Sequence, residues 1–207
     1  MRHGGVILLI SAPSGGGKTT VCTAMLSRHV VLRRAITCTT RPPRAGEADG
    51  VDYHFFSRGE FERRLDAGEF LEHAEVYGNR YGTLRTSVLD VLRGGQDVLL
   101  NIDVQGAASI RRMASCDPEL GAALATVFLT PGTLAELEAR LRGRGSEAED
   151  VVRRRLEAAP VEVGEAVHFD YVVVSGTREE DLARVEAIYA AERCRRHRVR
   201  LDFGRLS

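Results

Sequence analysis

Lysine is almost absent from this chain. Lys18 is the only lysine in 207 residues, and arginine supplies the other 28 of the 29 basic residues. The lysine head is a compact charge on a flexible stem, whereas the arginine head is a wide planar fork. The single retained lysine therefore suggests a position at which arginine would not fit.

Other scarcities narrow the function classes further. Acidic and basic residues balance at 29 each, which disfavours a nucleic-acid or anionic-membrane partner. The apolar run at residues 6–10 is too short for a signal peptide or a membrane span, so we expect a cytoplasmic protein. The four cysteines lack metal-ligand spacing, and we expect reduced thiols at Cys22, Cys38, Cys116 and Cys194.

The lone lysine lies in a glycine-rich stretch directly after that apolar run. The stretch, here called the phosphate loop, reads Ala12-Pro13-Ser14-Gly15-Gly16-Gly17-Lys18-Thr19. It matches the ATP-binding loop that joins a strand to a helix, although Ala12 replaces the usual first glycine. Backbone N–H groups and the helix N-terminus favour an anion there. We expect Lys18 to reach the β- and γ-phosphates and Thr19 to ligate Mg²⁺; a plain glycine-rich turn is the alternative.

Short apolar runs alternate with helical patterns through much of the chain. Buried strands are predicted at residues 6–10, 98–100 with Ile102, 126–129 and 171–174. Helices are predicted at residues 18–28, 84–93, 105–113, 133–142 and 179–192. This alternation predicts an α/β fold in which helices cover both faces of a parallel sheet. Ligands of such sheets bind beyond the carboxyl ends of the strands.

Two segments interrupt the alternation. Residues 33–82 are polar and aromatic, and we expect a small mixed subdomain with strands at 53–56 and 71–76 and a helix near 58–67. Residues 140–163 are strongly charged. Ser146 and Glu149 have the spacing of a helix capping box, which predicts a helix through Leu156. We interpret this second segment as a mobile lid.

The segment Thr39-Thr40-Arg41-Pro42-Pro43-Arg44-Ala45-Gly46-Glu47, together with the phosphate loop, resembles the guanylate kinase family of P-loop nucleoside monophosphate kinases. The resemblance covers nearly the full length. Further similar motifs are Asp52-Tyr53-His54-Phe55, Glu69-Phe70-Leu71-Glu72, Tyr81-Gly82-Thr83, Asn101-Ile102-Asp103-Val104-Gln105-Gly106 and the Arg-Gly-Arg-Gly stretch at residues 142–145.

This resemblance implies a fold and an activity. The implied fold is a single domain with a five-stranded parallel core (residues 1–36, 84–139 and 164–207), an inserted mixed GMP-binding subdomain (about 37–83) and a helical lid (about 140–163). The implied activity is transfer of the γ-phosphoryl group of ATP to GMP, with Mg²⁺, giving ADP and GDP in purine nucleotide metabolism. The sequence leaves monomer and homo-oligomer equally open.

Arg41 and Arg44 are candidates for binding a phosphate monoester. Pro42 and Pro43 between them fix φ and disfavour helix, so both guanidinium groups leave a stiff segment and suit a dianion. The resemblance assigns both arginines to the α-phosphate of GMP, adds the hydroxyls of Tyr53 and Tyr81, and gives Glu47 the role of orienting the arginines. A solvated basic turn is the alternative.

Glu72 is the candidate reader of the guanine base. Guanine presents two adjacent donors, which one carboxylate accepts together, whereas adenine presents an acceptor at the same place. A site that pairs such donors can reject the analogue lacking them by roughly 10⁴. The resemblance puts Thr37 and Thr83 where the family commonly has serines that contact base and phosphate. The alternative for Glu72 is a surface carboxylate on an edge strand.

Asp103 follows a predicted strand beside the phosphate loop. It is expected to hold Mg²⁺ through water or to accept from the guanine amino group, and a satisfied strand-end turn is the alternative. Asn101 stands where the family usually has a second acid. After the last strand, Val174-Ser175-Gly176 stands where the family often has Val-Asn-Asp, of which the backbone and the Asn meet adenine.

The resemblance also assigns Arg140, Arg144 and Arg155 to catalysis as arginines of the lid, while we expect Arg153 and Arg154 to face solvent. Phosphoryl transfer depends on positioning and charge neutralisation, which such arginines supply. Two other function classes are the alternatives. A non-catalytic guanylate-kinase-like binding module would have lost Lys18 and the lid arginines, and a kinase for another phosphate monoester would not need Glu72.

Overall fold

A computed structural model of the chain describes residues 2–76, 78–143 and 149–200. Its strands are β1 (Arg2–His3), β2 (Ile7–Ser11), β3 (Leu32–Arg34), β4 (Cys38–Thr39), β5 (His54–Phe55), β6 (Phe70–Val76), β7 (Asn79–Leu84), β8 (Asp97–Asn101), β9 (Leu124–Thr130), β10 (Tyr171–Val174) and β11 (Val199–Arg200). Its helices are α1 (Lys18–Arg28), α2 (Arg58–Asp66), α3 (Arg85–Arg93), α4 (Val104–Cys116), α5 (Pro118–Ala123), α6 (Leu134–Gly143), α7 (Glu149–Gly164), α8 (Arg178–Arg193) and a short 3-10 helix (Glu165–His168).

The central sheet has five parallel strands in the order β10-β9-β2-β8-β3. Strand β2 lies in the middle, with Leu8 opposite both Leu99 of β8 and Ala125 of β9. The predicted parallel α/β fold is therefore confirmed. The four strands predicted from apolar runs all belong to this sheet, whereas β3 was missed because it is short and two of its three residues are arginines.

Both faces of the sheet are covered by helices, as the continuous apolar strands require. On one face Leu8 and Ile10 pack with Met25 of α1 and Val185 of α8. On the opposite face Ile7 and Leu9 belong to the cluster that buries Val88 and Leu89 of α3 and Ala107 and Ile110 of α4. Because α1 is held on the sheet in this way, its N-terminus is fixed at the carboxyl end of β2.

A second, mixed sheet has the order β5-β4-β7-β6 and is formed within residues 38–84. Strand β4 runs parallel to β5, and β7 runs antiparallel to both β4 and β6. Helix α2 closes the sheet, with the ring of Phe61 stacked on that of Phe70 at 4.4 Å between centroids. Strand β7 was not predicted from the sequence, since its residues show little apolar character.

Helices α6 and α7 pack on each other through Leu137, Leu141, Val152 and Ala159. Helix α7 continues to Gly164, although the predicted helix ended at Leu156 and Pro160 lies inside it. A proline disfavours a helix interior, yet α7 continues past Pro160, and the preceding Ala159 is buried in the cluster between α6 and α7. Residues 146–148 of the predicted capping box lie outside the described residues. In the described ranges, no helix is long and apolar enough to cross a membrane.

Candidate active site

Glycines shape the phosphate loop, and at two of them a Cβ atom would come too close to neighbouring atoms. Gly15 has φ 91°, and a Cβ there would lie 2.7 Å from Leu141 Cδ2. A Cβ at Gly16 would lie 2.9 Å from the Cβ of Ala12 and 3.2 Å from the carbonyl oxygen of Leu129. The loop is therefore packed closely against β9 and α6.

Helix α1 begins at Lys18 with an uncovered N-terminus. Its N-cap is Gly17, which provides no side chain to cap the helix, and its first turn contains no acidic residue. Helix N-termini attract anions through their unpaired N–H groups and the helix dipole. The backbone of the phosphate loop is thus arranged to receive a phosphate group.

The Lys18 side chain crosses from the loop to the next strand of the sheet. Its Nζ donates to the carbonyl oxygen of Ile102 at 2.8 Å, directly after β8. Burial lowers the pKa of Lys18, an effect that the nearby Asp103 carboxylate partly offsets. The ammonium group therefore lies partly buried at the carboxyl edge of the sheet.

Glu162 of α7 also contacts the phosphate loop, which the sequence did not predict. Its Oε2 accepts a hydrogen bond from the backbone N–H of Ser14 at 3.1 Å. The contact spans 148 residues of chain, and the helix predicted for this segment ended before Glu162. A carboxylate here satisfies a loop donor and lies close enough to favour the charged form of Lys18.

A cavity of about 390 Å³ lies between the phosphate loop helix and the mixed sheet, and we call it the acceptor cavity. Its walls bring together six of the residues expected to form the GMP and metal sites. These residues are Thr19, Thr37, Tyr53, Glu72, Tyr81 and Asp103.

Glu72 lies on β6 and is held in place by its neighbours. The Thr83 hydroxyl donates to Glu72 Oε1 at 2.6 Å, and Thr83 itself is fully buried. A Cβ at Gly106 would lie 3.3 Å from Glu72 Oε2, so the missing side chain of that glycine makes room for the carboxylate. Burial raises the pKa of Glu72, and the Asp103 carboxylate adds to that rise while the Thr83 hydrogen bond opposes it. The Thr83 hydroxyl thus fixes the orientation of the Glu72 carboxylate.

Asp103 combines a structural role with its position at the cavity. It is the N-cap of α4, where its Oδ1 accepts from the N–H of Gly106 at 2.8 Å. The strand-end turn considered as the alternative for this residue is therefore present, and its second carboxylate oxygen is not used by that cap.

Arg41 is oriented by several contacts. Its Nη2 donates to Glu47 Oε1 at 2.8 Å, and its guanidinium carbon lies 5.5 Å from the centroid of the Tyr53 ring. A hydrogen bond between Arg41 and Tyr81 contributes to the raised pKa of Arg41, behind the larger effect of Glu47. Glu47 Oε2 accepts from the backbone N–H of Arg44 at 2.7 Å. The carboxylate therefore orients the Arg41 head and the Arg44 backbone, while the Arg44 residue is exposed.

Arg34 is a cationic residue at the acceptor cavity that the sequence did not predict. It ends β3, lines the cavity, and has its guanidinium carbon 5.8 Å from the centroid of the Tyr53 ring. Arg34 and Arg41 thus both approach the same aromatic ring, within the range of a cation–π contact. No signal identified Arg34, because β3 itself was missed.

Arg140 lies beside the phosphate loop. Its Nη1 donates to Ser175 Oγ at 2.8 Å, and a Cβ at Gly17 would lie 3.9 Å from the same nitrogen. Arg155 is half-buried on α7, whereas Arg153 and Arg154 have exposed side-chain fractions of 73% and 68%. Arg144 lies outside the described residues.

The donor set for a metal ion is small. Among the described residues, no group of three or more His, Cys, Asp or Glu side chains could hold a metal ion. Thr19 and Asp103 both line the acceptor cavity and offer one hydroxyl and one carboxylate. Mg²⁺ keeps several waters and commonly takes one or two protein ligands plus phosphate oxygens, so these residues fit Mg²⁺ delivered with a nucleotide.

Comparison with known proteins identifies the family. The family model for guanylate kinase matches residues 5–192. The chain belongs to the guanylate kinase family. The guanylate kinase of Paramagnetospirillum magneticum is 43% identical over 194 residues, which cover 94% of this chain and 88% of that protein. The guanylate kinase of Syntrophotalea carbinolica is 40% identical over 206 residues, which cover 100% of this chain and 95% of that protein.

A solved structure agrees with this assignment. The guanylate kinase from Anaplasma phagocytophilum matches with a TM-score of 0.69 at 33% identity, over 96% of this chain and 90% of that one. The parallel sheet, the phosphate loop and the mixed sheet described above are therefore the guanylate kinase fold.

Asn101 and the pair Ser175–Gly176 are sites at which the sequence predicts a departure from the family pattern. Asn101 ends β8 and lines the acceptor cavity, where an amide keeps hydrogen bonding but removes a charge. Ser175 and Gly176 follow β10, and both contact Arg140, since Gly176 offers its carbonyl oxygen to Arg140 Nη2 at 3.4 Å. Ser175 and Gly176 thus connect the end of β10 to Arg140 of α6.

Proposed function

We propose that this chain is an ATP:GMP phosphotransferase, a guanylate kinase that converts ATP and GMP into ADP and GDP. The observation that carries the proposal is the shared cavity: Glu72, suited to guanine, and Thr19, at the start of the phosphate-loop helix, line the same walls. A base reader and a phosphate site within one cavity suit transfer between two nucleotides. We divide the chain into a core, a GMP-binding subdomain (about 37–83) and a lid (about 140–163).

The acceptor nucleotide is bound at both ends. The ionised Glu72 carboxylate accepts the two guanine donors, with Thr83 holding one of its oxygens in place. Arg41 and Arg44 bind the GMP phosphate, and Tyr53, Tyr81 and Thr37 add hydroxyl donors. Glu47 orients Arg41 through its 2.8 Å hydrogen bond. This arrangement aims the phosphate of GMP at the phosphate loop, which is the requirement for an in-line transfer.

The donor nucleotide is bound by the phosphate loop. Backbone N–H groups of the phosphate loop, other than Pro13, which has none, surround the ATP phosphates, and Lys18 leaves the Ile102 carbonyl to bridge the β- and γ-groups. Thr19 and, through water, Asp103 would hold Mg²⁺, which when bound neutralises charge on the phosphate oxygens. Arg140, Arg144 and Arg155 add positive charge to the transferring group and help exclude water.

The decisive experiment is a coupled assay of ADP release with ATP and Mg²⁺ over GMP, dGMP, AMP, CMP and UMP. We expect turnover with GMP and a preference over AMP of several orders of magnitude. Binding of GMP without any turnover would instead indicate a binding module. Equal activity with AMP would contradict the role of Glu72, and turnover only with another phosphate monoester would contradict the proposed acceptor.

The role of Arg41 leads to a first prediction. Arg41→Lys keeps the charge but removes the planar fork, so the bond to Glu47 and a paired contact with phosphate are lost together. We expect KM for GMP to rise by about tenfold or more, with thermal unfolding nearly unchanged. The matched exchange Arg58→Lys on the exposed face of α2 (side chain 62% exposed) should leave KM unaltered. Near-normal kinetics of Arg41→Lys would contradict a bidentate contact.

A second prediction concerns Arg34. If this arginine adds positive potential at the GMP phosphate, Arg34→Gln should raise KM for GMP about threefold or more and leave kcat and KM for ATP unchanged. Arg33→Gln is the control, because Arg33 is exposed on the same strand but does not line the acceptor cavity. Equal effects of the two substitutions would mean that Arg34 acts only through the overall charge of the surface and not through a specific position at the GMP phosphate.

A further inference from the structure

We propose that Ser175 and Asp181 are positioning residues that hold the Arg140 guanidinium against the phosphate loop. The inference rests on the proposed function, because it concerns how the same reaction uses ATP. Ser175 follows β10 and Asp181 lies in the first turn of α8, and both are buried, with 9% and 5% exposure. A buried serine and a buried carboxylate require partners, and here those partners lead to Arg140.

The Arg140 head spans the gap between the last strand and the phosphate loop. Nη1 donates to Ser175 Oγ at 2.8 Å, and Nη2 approaches the Gly176 carbonyl oxygen at 3.4 Å. The same Nη1 is the atom that a Cβ on Gly17 would meet at 3.9 Å. The guanidinium therefore lies at the N-terminus of α1, where ATP phosphates bind.

Asp181 sets the direction of these hydrogen bonds. The Ser175 hydroxyl donates its single proton to Asp181 Oδ2, so only the lone pairs of Ser175 Oγ are left to face Arg140. Asp181 Oδ1 accepts from the Gly176 N–H at 2.7 Å, which fixes the carboxylate and the short loop together. Arg140 thus donates to Ser175, and Ser175 in turn donates to Asp181, which accepts at both of its carboxylate oxygens.

This anchor holds Arg140 without neutralising it. Among the described residues, no carboxylate lies within ion-pair distance of Arg140, whereas Arg41 and Arg142 each pair with a glutamate. A hydroxyl and a carbonyl orient the Arg140 guanidinium and leave its full positive charge available to a phosphate. Preorganised charge of this kind lowers the barrier because it needs no rearrangement during the reaction.

The test is removal of the hydroxyl. We expect Ser175→Ala to lower kcat/KM for ATP about tenfold, equivalent to about 1.4 kcal/mol, with KM for GMP unchanged. Ser175→Thr keeps the hydroxyl and should stay within about threefold of wild type. Ser175→Val has the shape of threonine without the hydroxyl and should lose as much activity as Ser175→Ala. Equal activity of the Thr and Val variants would overturn the proposal. Because threonine and valine have nearly equal volumes, this comparison remains valid even if Ser175→Ala disturbs folding. Ser115→Ala, an exposed serine of α4, is the matched control.

A double-mutant cycle separates positioning from a direct contact with ATP. If Ser175 acts through Arg140, Ser175→Ala should change the rate less than about twofold in an Arg140→Ala background. If Ser175→Ala still lowered the rate about tenfold in the Arg140→Ala background, the proposal would be overturned. An inactive wild type would contradict the proposed function itself, whereas an active wild type matched by Ser175→Ala would contradict only this inference.

Discussion

Lys18→Arg is expected to abolish phosphoryl transfer, although the chain uses arginine at all 28 of its other basic positions. We expect kcat to fall at least about 100-fold, which corresponds to about 2.8 kcal/mol at 1.4 kcal/mol per tenfold. If the site needed only a positive charge, the exchange would be conservative. The substitution therefore tests whether the site requires the compact shape of the lysine head group in addition to its charge.

The shape argument comes from the surroundings of the Lys18 ammonium group. Nζ lies 2.8 Å from the carbonyl oxygen of Ile102, and the side chain is enclosed well enough for burial to lower its pKa. The loop that it must follow is closely packed, since a Cβ at Gly15 would meet Leu141 and a Cβ at Gly16 would meet Ala12. A guanidinium fork is wider than an ammonium group and would have to displace one of these walls.

Three measurements check the Lys18 prediction. Steady-state kinetics gives kcat, calorimetry should find GMP binding intact, and thermal unfolding should stay within a few degrees of wild type. Arg58→Lys tests whether an exchange of the two basic residues is harmless at an exposed site. A Lys18→Arg enzyme that retained more than about a tenth of wild-type kcat would show that the lone lysine has no special role.

Local patterns predicted the phosphate loop and the central sheet well. The loop signal is contained in eight consecutive residues, and helix α1 begins and ends at the predicted residues, Lys18 and Arg28. Buried parallel strands are apolar runs, so β2, β8, β9 and β10 could be identified one at a time. Strand β3 could not, because an edge strand of three residues with two arginines has no such run.

The contacts missed by the sequence all join distant segments. Glu162 meets Ser14 across 148 residues, and Arg140 meets Ser175 across 35. Neither contact has a pattern of its own, since each depends on how α6, α7 and the last strand assemble around the loop. The departure at Ser175 was visible in the sequence, but its link to Arg140 required the fold.

Glu72→Gln is expected to have the second large effect. The substitution preserves volume and one acceptor oxygen, but its NH₂ group would face one of the two guanine donors. We expect kcat/KM for GMP to fall on the order of 100-fold, or about 2.8 kcal/mol at 1.4 kcal/mol per tenfold, with little change in KM for ATP. Glu72→Ala should lose at least as much, because it also leaves the buried Thr83 hydroxyl without its acceptor.

The pH dependence of the wild type gives an independent check on Glu72. Burial raises the pKa of Glu72 above its usual 4.5, so protonation removes the guanine acceptor at a higher pH than for an exposed glutamate. We expect kcat/KM for GMP to fall on acidification through this raised pKa. The corresponding acid limb should be absent in Glu72→Gln.

Stability should change with pH in the opposite sense from activity. Because the folded-state pKa of Glu72 is raised, the folded state binds more protons than the unfolded state above pH 4.5, and this group destabilises the fold as pH rises through that window. Glu72→Gln should therefore unfold at the same temperature as wild type or slightly higher near neutral pH. A variant with lower thermal stability and unchanged GMP kinetics would make Glu72 a structural residue and contradict its role in reading the base.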